Sequence, residues 1–214
     1  MKKLIIIFAI FISGCVNQNQ KITINADGSG YAVINYSTAV KNLSAGDEVG
    51  GFKFSESKIR ETYSSENSEI TNLKIDKNEK DSIVDVIIEI NFKDFNKLSD
   101  AQGFSKSITE WKAENDIYRF KYFILKDSLN ASVSGMNDFH FKYEFSFPGL
   151  VAETNGTKDG TEKVIWEFPV SSFKENVEMN ALIEKEKGGC GMFGLELPLI
   201  FAGIILFNRR KKLL

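Results

Sequence analysis

This 214-residue sequence predicts an α+β domain: a predominantly antiparallel sheet of hairpins with two short helices, followed by a C-terminal transmembrane helix. Three observations carry that expectation. Most of the interior alternates apolar and polar residues with a period of two, as half-buried strands do. Consecutive alternating runs are joined by short polar or glycine-bearing turns, the layout of hairpins. No strands alternate with helices long enough for βαβ units, so the sheet is expected to be antiparallel.

The elements follow in chain order. Ile22 to Ile24 and Tyr31 to Thr38 flank Ala26-Asp27-Gly28-Ser29-Gly30 and predict a first hairpin. Ser57 to Ser65 is charged, with Ile59 and Tyr63 at i,i+4, and predicts a short helix. Ile70 to Lys77 and Ile83 to Phe92 flank Asn78-Glu79-Lys80-Asp81 as a second hairpin, with Val84, Val86, Ile88 and Ile90 on one face. Phe92 to Leu98 predicts a second short helix, because Phe95 and Leu98 stand three apart. Ile108 to Ala113 and Ile117 to Leu125 form a third hairpin around Glu114-Asn115-Asp116. Phe139, Phe141, Tyr143, Phe145 and Phe147 alternate with His140, Lys142, Glu144 and Ser146, and Val164 to Phe168 and Val177 to Ile183 complete the strands.

Charge narrows the classes of partner. Lys and Arg number 27 and Asp and Glu 29, but six of the cations lie at Lys2, Lys3, Arg209, Arg210, Lys211 and Lys212. Glu196 is the only acid outside 16–187, so that stretch carries a net charge of −7. Such a surface repels phosphate backbones, and nucleic acid is excluded as a partner. Residues 16–187 contain no cysteine, so no disulfide staples the domain and its core must hold it.

The two cysteines sit instead in membrane signals. Lys2-Lys3, the nine apolar residues Leu4 to Ile12, and Ser13-Gly14 before Cys15 have the layout of a secretory signal too short to span a bilayer. Ile12-Ser13-Gly14-Cys15 resembles the lipobox of prokaryotic lipoproteins. The resemblance implies a signal peptide over 1–14, diacylglycerol on the Cys15 sulfur, palmitate-type acylation, and a lipidated N-terminus and linker over 15–20.

At the other end, Met192 to Phe207 is apolar apart from Glu196 and Pro198, and Arg209-Arg210-Lys211-Lys212 follows. Sixteen residues of helix reach roughly 24 Å, short of a ~30 Å hydrocarbon core, but thinning and snorkelling accommodate that. The basic clusters at both ends belong on the cytoplasmic side, so the 21–185 domain is expected to be extracytoplasmic. The layout is then a hinge over 186–191, a membrane helix over 192–208 and a cytoplasmic tail over 209–214. Gly188-Gly189-Cys190-Gly191 ahead of the helix resembles the C-terminal sorting signals of the MYXO-CTERM, Synerg-CTERM and JDVT-CTERM kind. That resemblance implies processing near Gly188, Gly189 and Cys190; a permanent tail anchor on a flexible glycine hinge is the alternative.

A further resemblance lies in the domain. Ile24-Asn25-Ala26-Asp27-Gly28-Ser29-Gly30, Phe145-Ser146-Phe147-Pro148-Gly149-Leu150-Val151, Asn155-Gly156, Asp159-Gly160 and Val164-Ile165-Trp166 resemble the LppM-type domain of exported bacterial lipoproteins. It runs over roughly 20 to 185 and is carried by the two ends of that stretch. The resemblance implies an α+β domain outside the cell membrane that binds lipid or envelope glycolipid. Gly188 to Gly191 departs from that family's pattern.

Read as residues, these motifs are turns: Asp27-Gly28 in the first hairpin, Pro148-Gly149 where the chain leaves a strand and re-enters at Leu150-Val151, and Asn155-Gly156 and Asp159-Gly160 before Trp166. Calcium at Asp27, Asn155 and Asp159 is the weaker alternative, because the acidic repeat and terminal Glu of an EF-hand are missing. His140 is the only histidine, and no nucleophile elbow, zinc pair or phosphate loop is present. The expectation is a protein that is not an enzyme and needs no cofactor or metal. Its eighteen phenylalanines fall largely in strands, mostly as core, with room for an apolar cleft. Two functions follow: a membrane-anchored domain binding lipid or glycolipid, or a surface-displayed structural or protein-interaction module without a small ligand. An internal cavity of roughly 300 Å³ separates them.

Overall fold

The computed structural model describes residues 17–43, 47–78, 82–126 and 140–185. Cys15, Phe139, Gly188, Gly189, Cys190 and the expected membrane helix lie outside these residues. Among the described residues no helix is long and apolar enough to cross a membrane.

Alternation makes the strands, and their buried faces meet. The first hairpin is β1 (Asn17–Ile24) with β2 (Gly30–Ala39). A minor pair follows, β3 (Glu48–Val49) with β4 (Phe52–Lys53), and then α1 (Glu56–Tyr63). The second hairpin is β5 (Ser68–Asn78) with β6 (Ile83–Phe92), and the third is β7 (Ser107–Glu114) with β8 (Ile117–Ile124). The remainder are β9 (His140–Ser146), β10 (Gly149–Thr154), β11 (Thr157–Lys158), β12 (Lys163–Pro169) and β13 (Val177–Lys185). They form a seven-stranded sheet, β11-β12-β9-β1-β2-β6-β5, and a four-stranded sheet, β10-β13-β8-β7.

The core fills the space between the two sheets. Phe120 of β8 lies 4.7 Å from Phe145 of β9 between ring centroids, and 5.9 Å from Trp166 of β12. Phe95, fully buried, touches Phe92, Phe120, Tyr122 and Phe145, so four rings from both layers converge on it. As expected, Val84, Val86, Ile88 and Ile90 are all buried.

Three expectations are corrected. β1 and β9 pair in parallel, Asn17 beside His140 and Thr23 beside Ser146, inside a sheet whose other pairings are antiparallel. A parallel pair needs a crossover of a dozen or more residues, and more than a hundred separate these strands. Of the two expected helices, α1 is present, but the second is a 3₁₀ segment, Phe95–Asp100. Phe95 and Leu98 repeat at three residues without an i+4 partner, which suits the tighter period, and the Asp94 carboxylate accepts the Asn96 N–H at 2.9 Å to start it. Finally, Asn17 to Gln20, expected as linker, are the first half of β1.

The chain changes layer between β9 and β10. Phe147 N–H donates to Glu162, Pro148 bends the backbone, and Gly149 opens β10 opposite Lys185 of β13. A Cβ at Gly149 would stand 2.2 Å from the Glu184 carbonyl oxygen, so only glycine permits this approach.

Candidate functional site

The sequence motifs prove to be joints. Asp27 and Gly28 form the β1–β2 turn, where the Asp27 carboxylate accepts from the Ser29 amide at 3.0 Å and hydroxyl at 2.7 Å. Those bonds hold the Asp27 carboxyl below its ordinary range. Asn155 makes three side-chain bonds to two strands: its oxygen accepts from Trp166 Nε1 of β12 at 2.8 Å and Asn180 N of β13 at 3.0 Å, and its amide donates to Glu178 O of β13 at 2.8 Å. Gly156 faces the Trp166 ring, where a Cβ would come within 2.5 Å. Asp159 pairs with Lys163 at 3.4 Å. The structure gives Asp27, Asn155 and Asp159 separate structural partners and does not bring them together. Among the described residues no group of three or more His, Cys, Asp or Glu is placed to hold a metal. His140 is exposed at the start of β9.

A different set of residues encloses space. At the end of the sandwich where β1 begins, a cavity of about 280 Å³ lies between the sheets, α1 and the 3₁₀ turn Gln102–Phe104. Phe52, Phe104 and Ile124 supply apolar wall, while Gln18, Gln20 and Tyr143 supply polar groups. Lys53 and the exposed Lys106 also border it, Lys53 in an ion pair with Glu48.

Local folding explains why polar groups stand there. Along β1 the buried positions are Gln18, Gln20, Ile22 and Ile24, one face of a strand. Register places Gln18 between Tyr36 and Phe141, and Gln20 between Ile34 and Tyr143. Two glutamines thus occupy core positions of a central strand. Extending the Ile22/Ile24 phase backwards would have found them, had the strand not been cut short at its polar start.

Burial sets the electrostatics. Desolvation pushes the phenols of Tyr63 and Tyr143 well above their ordinary value, and that of Tyr122 up to about 12. At neutral pH these three walls are uncharged. Phenols and amides stand there beside Phe52, Phe104, Phe173, Ile34 and Ile124, a mixed polar and apolar lining that can take up a ligand. A larger depression of about 700 Å³ lies at the opposite end, near Ile117, Leu150 and Glu184.

The model of one family, the LppM domain, matches residues 37–185. The chain belongs to the LppM domain family. The match takes in every strand after β2 and, with it, one wall of the cavity from Phe52 to Phe173. Among solved structures, the NMR structure of the folded domain of Mycobacterium tuberculosis LppM is 15% identical, over 83% of this chain and 94% of that one, with a TM-score of 0.45. No curated protein matches this LppM-domain chain.

Proposed function

We propose that this LppM-domain protein is a non-catalytic lipoprotein of the cell membrane, held by acylated Cys15 and by a single C-terminal pass. Its extracytoplasmic domain binds lipid or envelope glycolipid in the cavity beside β1. The observation that carries this reading is the position of Gln18, which lines the cavity three residues after Cys15. Three residues of extended chain reach about 10 Å, so a lipid on Cys15 holds the cavity beside the membrane surface. The mixed lining suits an amphiphile whose polar portion enters with the first part of a chain.

The test is native mass spectrometry of the full chain purified from membranes in mild detergent. A non-covalently bound lipid, lost when Ser107→Trp fills the cavity, is the expected result. An empty protein that takes up no added envelope lipid would sink the reading.

One observation favours the alternative, a surface-displayed interaction module. The cavity volume of about 280 Å³ sits at the lower edge of the roughly 300–1,000 Å³ common for ligand pockets. Under that alternative the membrane-purified chain carries no non-covalently bound lipid and Ser107→Trp is silent.

A further inference from the structure

Gln20 is 2% exposed and faces the core of the seven-stranded sheet, between Ile34 of β2 and Tyr143 of β9. A residue so placed in a central strand is ordinarily apolar, and β1 itself continues inward as Ile22 and Ile24. Among the described residues three buried side-chain atoms have no hydrogen-bond partner: Asn19 Oδ1, Thr109 Oγ1 and Gln20 Nε2. Of the three residues, Gln20 is the one that lines the cavity. An unpaired buried amide carries a desolvation cost that leucine would avoid. Residues that break the core pattern in this way concentrate where a protein binds something.

We infer that Gln20 selects the occupant of the cavity by donating its amide N–H to an ester carbonyl of a glycerolipid. This rests on the lipid-binding reading above and specifies which part of the lipid enters. The unmatched atom is a donor, so it calls for an acceptor. An ester carbonyl accepts without bringing a donor that would itself need a partner, and it stands next to methylenes that suit Phe52 and Phe104. The deep walls are neutral amide and phenol, whereas the cations, Lys53 and Lys106, are less buried than Gln20, so a charged headgroup stays towards them. The terminal torsion of a glutamine is broad and roughly two-fold, which lets the amide turn towards the ligand.

The same carbonyl has two sources, a free membrane lipid and the diacylglycerol on Cys15 itself. The experiment therefore starts from the full chain with Cys15→Ser, which carries no lipid of its own. Calorimetric titration compares dihexanoyl-glycerophosphoglycerol with its dihexyl ether analogue, which has the same shape and no carbonyl. The ester is expected to bind about tenfold more tightly, the worth of one good hydrogen bond. Gln20→Leu should raise the urea midpoint, keep the ether affinity and abolish the ester preference. Should the leucine variant misfold, Gln20→Met tests the same point with an unbranched side chain. Equal binding of ester and ether to the parent overturns the role of Gln20 and leaves lipid binding intact, as does an ester preference that survives in the variants. Binding of neither lipid overturns both. Repeating the titration on the lipidated chain assigns the source: a site blocked to the added ester takes the Cys15 lipid, and an unchanged affinity assigns the site to free lipid, both in keeping with Gln20 as the donor.

Discussion

Trp166 donates its indole N–H to the side-chain oxygen of Asn155 at 2.8 Å, and that oxygen also accepts the Asn180 backbone N–H at 3.0 Å. One side chain at the end of β10 therefore ties β12 of the larger sheet to β13 of the smaller. Trp166 is buried, so its N–H has no replacement partner when Asn155 is shortened. Asn155→Ala should cost about 1–3 kcal/mol, read as a lower urea midpoint with unchanged slope. Asp159→Ala, four residues on and exposed with only a surface ion pair to Lys163, should stay within about 0.5 kcal/mol. Equal costs would mean that Asn155 is only a turn residue.

Phe145, Phe147 and Trp166 lie in the aromatic centre, with Phe120 within 4.9 Å of Phe147 and 5.9 Å of Trp166 between centroids. Phe147→Ala or Trp166→Ala should cost about 3–5 kcal/mol, while His140→Ala should cost well under about 1 kcal/mol. Denaturant midpoints give the order. His140→Ala as the most damaging change would contradict the strand phase of β9.

The hairpins were legible because their information is local. β1/β2, β5/β6 and β7/β8 each combine two alternating runs with a turn, and Ile59 and Tyr63 marked α1 in the same way. The parallel pairing of Asn17 with His140 was not legible, since alternation states which face a residue takes and never which distant strand lies beside it. The switch of layer at Pro148-Gly149 was visible as a strand exit, but its cause, the contact of Gly149 with the Glu184 carbonyl, is tertiary. Asn155-Gly156 looked like an ordinary turn dipeptide because the sequence does not show that Trp166 packs onto it. The cavity was hidden for a related reason: Gln18 and Gln20 are polar, and polarity reads as linker unless the isoleucine phase is followed through it.

Four of the six tyrosines, Tyr36, Tyr63, Tyr122 and Tyr143, are buried, and desolvation raises each phenol above its ordinary value. Between about pH 10 and the raised folded values, the unfolded chain has lost protons that the fold retains, so stability falls as pH rises. Below about pH 10 the contribution is fully present. Each such group removes about 1.4 kcal/mol per pH unit, so four together remove about 5 kcal/mol per unit, comparable to a whole domain's stability. Cooperative alkaline unfolding should begin above about pH 10, with tyrosinate absorbance rising in step. Tyr63→Phe should move that midpoint upward. Full ionisation of all six tyrosines without loss of far-ultraviolet circular dichroism would refute the buried placement.

The lipid anchor makes a prediction about orientation as well as chemistry. If Cys15 carries diacylglycerol, Cys15→Ser abolishes incorporation of labelled fatty acid and leaves the signal uncleaved; unchanged processing would sink the assignment. β1 starts only two residues after Cys15, and its first inward side chain lines the cavity beside Lys106 and Ser107. Lys112 lies six residues beyond Lys106, in β7 towards the turn at Asn115, at the opposite end of the sandwich. Extended chain of that length spans about 20 Å, more than two Debye lengths at physiological salt, so the two lysines meet different surroundings when the cavity end is tethered. A membrane-impermeant amine reagent applied to anchored protein should modify Lys106 several-fold more slowly than in a chain of residues 16–185, which lacks both apolar end segments, while the rate at Lys112 stays the same. Protection of Lys112 in place of Lys106 would put the opposite end of the domain on the membrane and remove the cavity from its lipid supply.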